Sequence, residues 1–485
     1  MLVLVFSITE KTAIMVLLSK ILGLAILFVA LFHYSVLAGH VEAASAASEG
    51  SDSTIETFLE KAKEGVTAPV SGTHYYWDEG LHIDSRNRKV RLKLGGKLQL
   101  DTGRINPDNE LETAFSDLEG QDTSLRRLSV DFSGAFFEDW EFKLEMDFSD
   151  IRVIRDNWIG RRNIPIIGRL RAGHMKEPFS LETQTSAMNL TFMEKALPTA
   201  AFSPGRNIGF RVDNTALDGL MTWAVGGFWN TRSFKDVGDT NDRVTNATGA
   251  NLTGRLTFVP WYLDDGSALL HLGLSYTHGF RGADEVGRFN PLPETTLKSE
   301  SLVDTGEFIN DSVGLINPEL AMVAGLLSFQ GEYFHVFTGA DEVGEPQFWG
   351  WYVYLSYFLT SDHRRYKASS GTFSRVVPKH NFHPLRGEWG AWELAFRYSY
   401  IDLNDEDIRG GEERNLTLGL NWYLKPNIRF QFNYINAKVE DRADPQVEDG
   451  RANIFQSRFQ IVSKQLVSNP GLLLLFSFWT MVAIC

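Results

Sequence analysis

The stretch LKLGGKLQLDTG at residues 92–103 decides how this chain is read. Leu92, Leu94, Leu98 and Leu100 fall on one side of an extended strand; Lys93, Lys97, Gln99 and Asp101 fall on the other. Successive side chains of a strand point to opposite faces, so the segment has one apolar wall and one charged wall. A single strand of this kind also fits a soluble sheet wetted on one side. Here the pattern recurs to the end of the chain. Leu128, Val130, Phe132 and Phe136 alternate with Arg127, Ser129, Asp131 and Ser133. Trp140, Phe142, Leu144 and Met146 alternate with Glu141, Lys143, Glu145 and Asp147, and Leu416, Leu418, Leu420 and Trp422 with Asn415, Thr417 and Asn421. Many such strands, with no convincing amphipathic helix between them, predict an all-β fold: a transmembrane antiparallel barrel with lipid outside and water inside.

Composition agrees. Aromatics make up 12% of the residues, with 34 Phe and 12 Trp, which suits a lipid-facing wall with aromatic girdles. The mean hydropathy of -0.16 leaves no room for a bundle of transmembrane helices. A chain of 485 residues would ordinarily divide into several soluble domains, but no Pro/Ser/Gly-rich linker interrupts the strands. Residues 1–43 read as a secretory signal. Lys11 and Lys20 precede the apolar run ILGLAILFVALF, and Val41-Glu42-Ala43 offers a small-residue cleavage site. Either Met1 or Met15 serves as its start. Residues 44–89 read as a polar lead, 90–462 as the barrel, and 463–485 as an apolar tail that does not alternate.

The single cysteine, Cys485, excludes an internal disulfide and a Cys-based metal or redox site. The net charge of -14 argues against nucleic acid as a partner. Acidic residues cluster in expected loops, such as 236–242 and 441–449, which leaves the lumen free to carry the opposite sign. No cofactor or metal is expected. Candidate strands begin at seventeen places, one of them Phe289; an even number near sixteen is expected for a bacterial barrel and leaves an aqueous channel. The connection at 177–205 contains Pro178, Pro198 and Pro204 and the apolar Met188, Leu190, Phe192, Met193, Leu197 and Phe202. Water-exposed loops rarely carry such residues, so it should fold inward and narrow the pore.

Four segments resemble the phosphate-selective porin O/P family: RRLSVDFSGAFFEDWEFKLEMDFS at 126–149, IRDNWIG at 154–160, GRLRAGHMKEPFSLE at 168–182 and NLTFMEKALPTAAFSPGRNIGFRV at 189–212. Weaker likeness continues through LVDTG at 302–306, FQGEYFHV at 329–336 and the final strands, so it covers roughly 90–462. The resemblance implies a sixteen-stranded porin of the Gram-negative outer membrane, usually a homotrimer, with its third long loop in the lumen. Its implied cargo is small anions, with phosphate or polyphosphate selected. It further implies an anion constriction built from Arg126 and Arg127, an ordering acid at Asp156, Lys176 after the fifth strand and Lys97 on the first. Strand parity supports Arg127 and Lys97 facing inward. It sets Arg126 on the opposite face, so that residue needs a bulge or a strand end, and it decides nothing for Lys176.

Such residues suit the task. An oxyanion entering a narrow pore loses water, and fixed cations must replace that shell while still letting the ion leave. Arginine offers a planar fork to phosphate oxygens, and lysine a point charge. Arg169, Arg171, Arg211, Arg397, Arg429 and Arg458 also have inward parity and could line the approach. So do the acids Asp101, Asp131, Glu141, Glu145, Asp147, Asp213 and Glu393, and a structural charge ladder is the competing reading. The functional alternatives are a general or sugar-type porin, or a structural barrel or anchor. Ser275 and His271 share one strand face, but with no third group in view no catalytic residue is assigned.

Overall fold

The alternating sequence closes on itself. The computed structural model describes residues 73–77, 81–85, 87, 89–149, 154–230, 249–281, 285–442 and 449–462. The signal segment 1–43, the apolar tail 463–485 and the acidic cluster at 236–242 lie outside the described residues. The barrel strands are β1 (Val90–Pro107), β2 (Gly120–Phe136), β3 (Trp140–Asp147), β4 (Ile154–Ile164), β5 (Gly168–Lys176), β6 (Arg206–Ala216), β7 (Met221–Trp229) and β8 (Ala250–Leu263). They continue as β9 (Ala268–Phe280), β10 (Ser312–Ala324), β11 (Leu327–Gly339), β12 (Gln347–Phe358), β13 (Ala391–Asp405), β14 (Ile408–Lys425), β15 (Ile428–Arg442) and β16 (Gly450–Val462). Each strand pairs antiparallel with the next. β16 returns to β1, with Ala452 opposite Pro107 and Val462 opposite Lys97. Closure satisfies the backbone groups that lipid cannot.

Two further strands make the sheet eighteen-stranded. Thr73–Trp77 and Leu81–Ser85 form a hairpin, and its second strand pairs with β1 from Arg91 to Leu94. Strand structure therefore begins inside the segment read as a polar lead. β1 has 18 residues and β2 has 17, well beyond the roughly 9–11 that span a bilayer, and the hairpin pairs with the excess on β1. The expected strand at Phe289 does not form. Phe289 lies in the long connection 281–311, buried against Phe202 (ring centroids 5.4 Å apart), Phe348 (5.5 Å) and Phe308 (6.3 Å). A loop that buries apolar residues in the lumen imitates a strand, and removing it leaves sixteen barrel strands.

The connection 177–205 folds into the lumen, where Met188, Leu190, Phe192, Met193, Leu197 and Phe202 are all buried. It lies on one side of the wall. Phe192 meets Tyr354 of β12 edge-on (5.5 Å), and Phe179 meets Phe334 of β11 (6.3 Å). Its short helix Leu197–Phe202 crosses β12 at Gly350, where a Cβ would sit 2.8 Å from that of Pro198. A buried loop must find partners for its backbone groups, and the wall supplies them. Arg429 donates to the Leu190 carbonyl (2.8 Å), Asn421 to Thr191 (2.9 Å), Arg397 to Glu194 (3.0 Å) and Gln460 to Met188 (3.1 Å). Glu332 of β11 accepts from the amides of Leu181 (3.0 Å) and Glu182 (2.8 Å). Arg397 and Arg429, read from parity as lining an approach, instead hold the loop.

A third segment, 359–390 between β12 and β13, also enters the lumen. The Tyr366 hydroxyl lies 2.6 Å from His271 Nδ1, and Arg364 donates to Gln330 (2.8 Å) while its guanidinium covers the Phe373 ring at 3.4 Å. The β9–β16 side of the lumen is thus filled by chain, and space remains along β1–β8.

Candidate functional site

The strand register brings the arginine pair together. Gln99 of β1 faces Arg127, but Leu100 faces Leu125, so Arg126 is the extra residue of a β-bulge. A bulge re-aims a side chain, and Arg126 turns inward despite its parity. Lys97, Arg126, Arg127, Asp156 and Lys176 all line one lumenal cavity of about 240 Å³, closed on its other side by residues 184–195 of the inserted loop.

Inside that cavity the five residues take different parts. Lys97 bonds Glu145 (2.5 Å). Lys176 donates to the carbonyl of Thr183 at 2.5 Å and so secures the start of the loop. Asp156 accepts from Lys143 (2.6 Å) and Arg206 (2.6 Å) and orders those two bases. The carboxylate that orders Arg126 is Glu194, from the loop. It accepts from Arg126 Nε (2.9 Å) and Nη2 (3.0 Å), and also from Arg458 Nη2 (2.6 Å). Burial alone would raise the Glu194 carboxyl, but Arg126 and then Arg458 outweigh it and hold the group well below the usual carboxylate range. Arg127 stands apart. It donates to Gln99 Oε1 (2.6 Å), and no carboxylate among the described residues pairs with it.

The cavity is lined by eight bases against four acids. Towards the turn end it leads into a second cavity of about 720 Å³, lined by eight bases against two acids, with Lys143 and Asp156 common to both. Arg169, Arg171 and Arg211 line this second space around Asp213, as their parity suggested. The inserted segment 359–390 adds Arg365, Lys367 and Arg375. A chain with a net charge of -14 therefore presents an excess of positive charge along the inside of β1–β8. Fixed charge of one sign in a low-dielectric cleft raises the local concentration of counter-ions.

Ser275 and His271 do find a third group, Glu319, at 2.9 and 3.1 Å. Both are fully buried and bond to the carboxylate instead of to each other. Their arrangement, with Arg255 forked onto the same carboxylate (2.8 and 2.7 Å), holds the wall together.

Residues 92–462 match the family described as phosphate-selective porin O and P. The chain belongs to that family. Porin O of Pseudomonas aeruginosa is 24% identical over 430 residues, covering 79% of this chain and 91% of the relative. An uncharacterised protein of Caulobacter vibrioides is 27% identical over 391 residues, covering 78% of this chain and 75% of the relative. Among solved structures, the anion-selective porin from Comamonas acidovorans aligns at a TM-score of 0.46 with 12% identity, over 77% of this chain and all of that one. The channel DcaP of Acinetobacter baumannii also aligns at 0.46 with 12% identity, over 78% and 99%. Members of the family are channels, and this porin resides in the Gram-negative outer membrane.

Proposed function

We propose that this porin passes small anions by diffusion along the β1–β8 wall, and that phosphate or polyphosphate is engaged at the cavity around Arg127. The observation that carries the reading is Arg127 itself, a half-buried guanidinium facing the cavity with no carboxylate partner among the described residues. Its neighbours Lys97, Lys143, Arg126 and Arg206 are each matched to an acid. The unmatched charge is the one an incoming anion can complete. Assembly as a homotrimer is the companion reading; chemical crosslinking of intact outer membranes tests it, and a purely monomeric ladder would end it.

The test is electrical. In planar bilayers under a salt gradient, the reversal potential should show anion preference, and phosphate should block the chloride current. Arg127→Ala removes a charge-assisted contact worth roughly 1.5–3 kcal/mol. The block should then weaken about tenfold or more. Arg127→Lys should restore only part of it, because the planar fork is lost. Equal permeability to both ion signs in the wild type would favour a general porin. Unchanged block in Arg127→Ala would make Arg127 a wall residue.

A further inference from the structure

We propose that the arginine clasp around Glu194 is itself an oxyanion site, filled at rest by the chain's own carboxylate, which a permeating phosphate or carboxylate displaces. The inference rests on the reading that small anions pass this cavity, and adds the residue that sets how readily they leave.

The geometry of the clasp is that of a bound ligand. Arg126 presents Nε and Nη2 to the two oxygens of Glu194 at 2.9 and 3.0 Å. That parallel two-point contact is the one a guanidinium makes with a free carboxylate or phosphate. Arg458 adds a third donor at 2.6 Å. The Glu194 side chain is 12% exposed and lines the cavity next to Arg127. It reaches there from the inserted loop, whereas both arginines come from the wall.

Arg458 does not depend on Glu194 for its position. Asp101 holds it through Nε (2.7 Å) and Nη2 (2.6 Å), and it donates through Nη1 to the Met193 carbonyl (2.5 Å). Take the Glu194 charge away, and Arg126 and Arg127 face the cavity, while Arg458, fully buried and paired with Asp101, adds its charge beside Arg126. An oxyanion would bind that cluster tightly and leave slowly. Conduction needs binding weak enough to release. With Glu194 present, an arriving anion exchanges one negative group for another. The charge in the clasp hardly changes, and the returning carboxylate drives the ion out.

The experiment uses the full-length porin in planar bilayers, with inorganic phosphate as the probe. Glu194→Gln keeps the shape of the side chain and removes its charge. Phosphate block of the chloride current should tighten about tenfold, with longer resolved blocking events. Heat-modifiable gel migration of the variant should match wild type and so report an intact barrel. Unchanged block would make Glu194 a structural clasp, and weaker block would make it only a support for the arginines; either overturns the proposal. Should Glu194→Gln not yield channels, Glu194→Ala with added formate is the second test. Formate fills the vacated position and should relieve phosphate block in the variant far more than in wild type. Equal relief in the two overturns the proposal. Failure of the underlying reading shows separately, as a wild-type channel without anion preference.

Discussion

The two halves of the barrel wall use the same residue types for opposite ends. On β9–β16 the inward arginines hold the loops that cover them. Arg397 is fully buried against Glu294 (2.5 Å), and Arg429 bonds a loop carbonyl. Asn421 and Gln431 both donate to Thr191. On β1–β8 bases line two cavities and outnumber the acids there. The same arginine in the same inward parity is mortar on one side and channel lining on the other. What separates them is whether a loop lies over the strand.

The comparison is most exposed to removal of the loop. Deleting residues 187–201 strips the cover from β12–β16, and single-channel conductance should rise several-fold. A folded variant of unchanged conductance would mean that the open path does not run beside this loop. Next comes the charge swap between halves. Arg397→Ala leaves Glu294 buried without its cation, which costs about 3–5 kcal/mol. Arg127→Ala leaves no such orphan. Urea midpoints read from heat-modifiable gel migration should fall sharply for the first variant and little for the second. Equal falls would erase the distinction between the halves.

A gentler probe is Gly350→Ala. The added methyl would lie 2.8 Å from Pro198 Cβ and 2.7 Å from the Tyr400 carbonyl oxygen, and overpacking of this kind costs about 1–3 kcal/mol. The midpoint should drop by less than in Arg397→Ala, with phosphate block intact. Loss of block with normal stability would show that β12 reaches the anion path. The smallest effect concerns acid. A carboxyl held below its ordinary range keeps its charge until the pH falls through that lowered value, so the Arg126–Glu194 pair persists above it. Between neutral pH and about pH 4, the ordinary carboxylate range, the difference in block between wild type and Glu194→Gln should hold. Its disappearance near pH 4 would mean that Glu194 titrates normally.

Much of this was legible in the chain, and the failures have physical causes. Strict alternation revealed the barrel, and apolar content revealed the inserted loop, because both are properties of neighbouring residues. Phe289 misled because a loop buried in the lumen carries the apolar residues of a strand. The hairpin at 73–85 was missed although Tyr75, Tyr76 and Trp77 followed by Asp-Glu-Gly is a hairpin cue. Parity required a bulge or a strand end at Arg126 but could not say which; the register shows the bulge. Asp156 is the acid of Lys143 and Arg206, while Arg126 has Glu194, a residue 68 positions away. Glu194 also meets Arg458 at a separation of 264. No local pattern marks an acid whose partners are so remote. Parity likewise could not tell Arg171 from Arg397, since it states the face of a strand and not what covers it.

The seam of the barrel has a consequence for biogenesis. β16 is the last of the described strands, and Arg458 on it touches three things at once: Asp101 on β1, the Met193 carbonyl and the Glu194 carboxylate. The closing strand and the loop thus meet at one guanidinium, which adds to the loop's other bonds to the wall. A cylinder that zipped shut with the loop still outside would leave Arg458 satisfied on one side only.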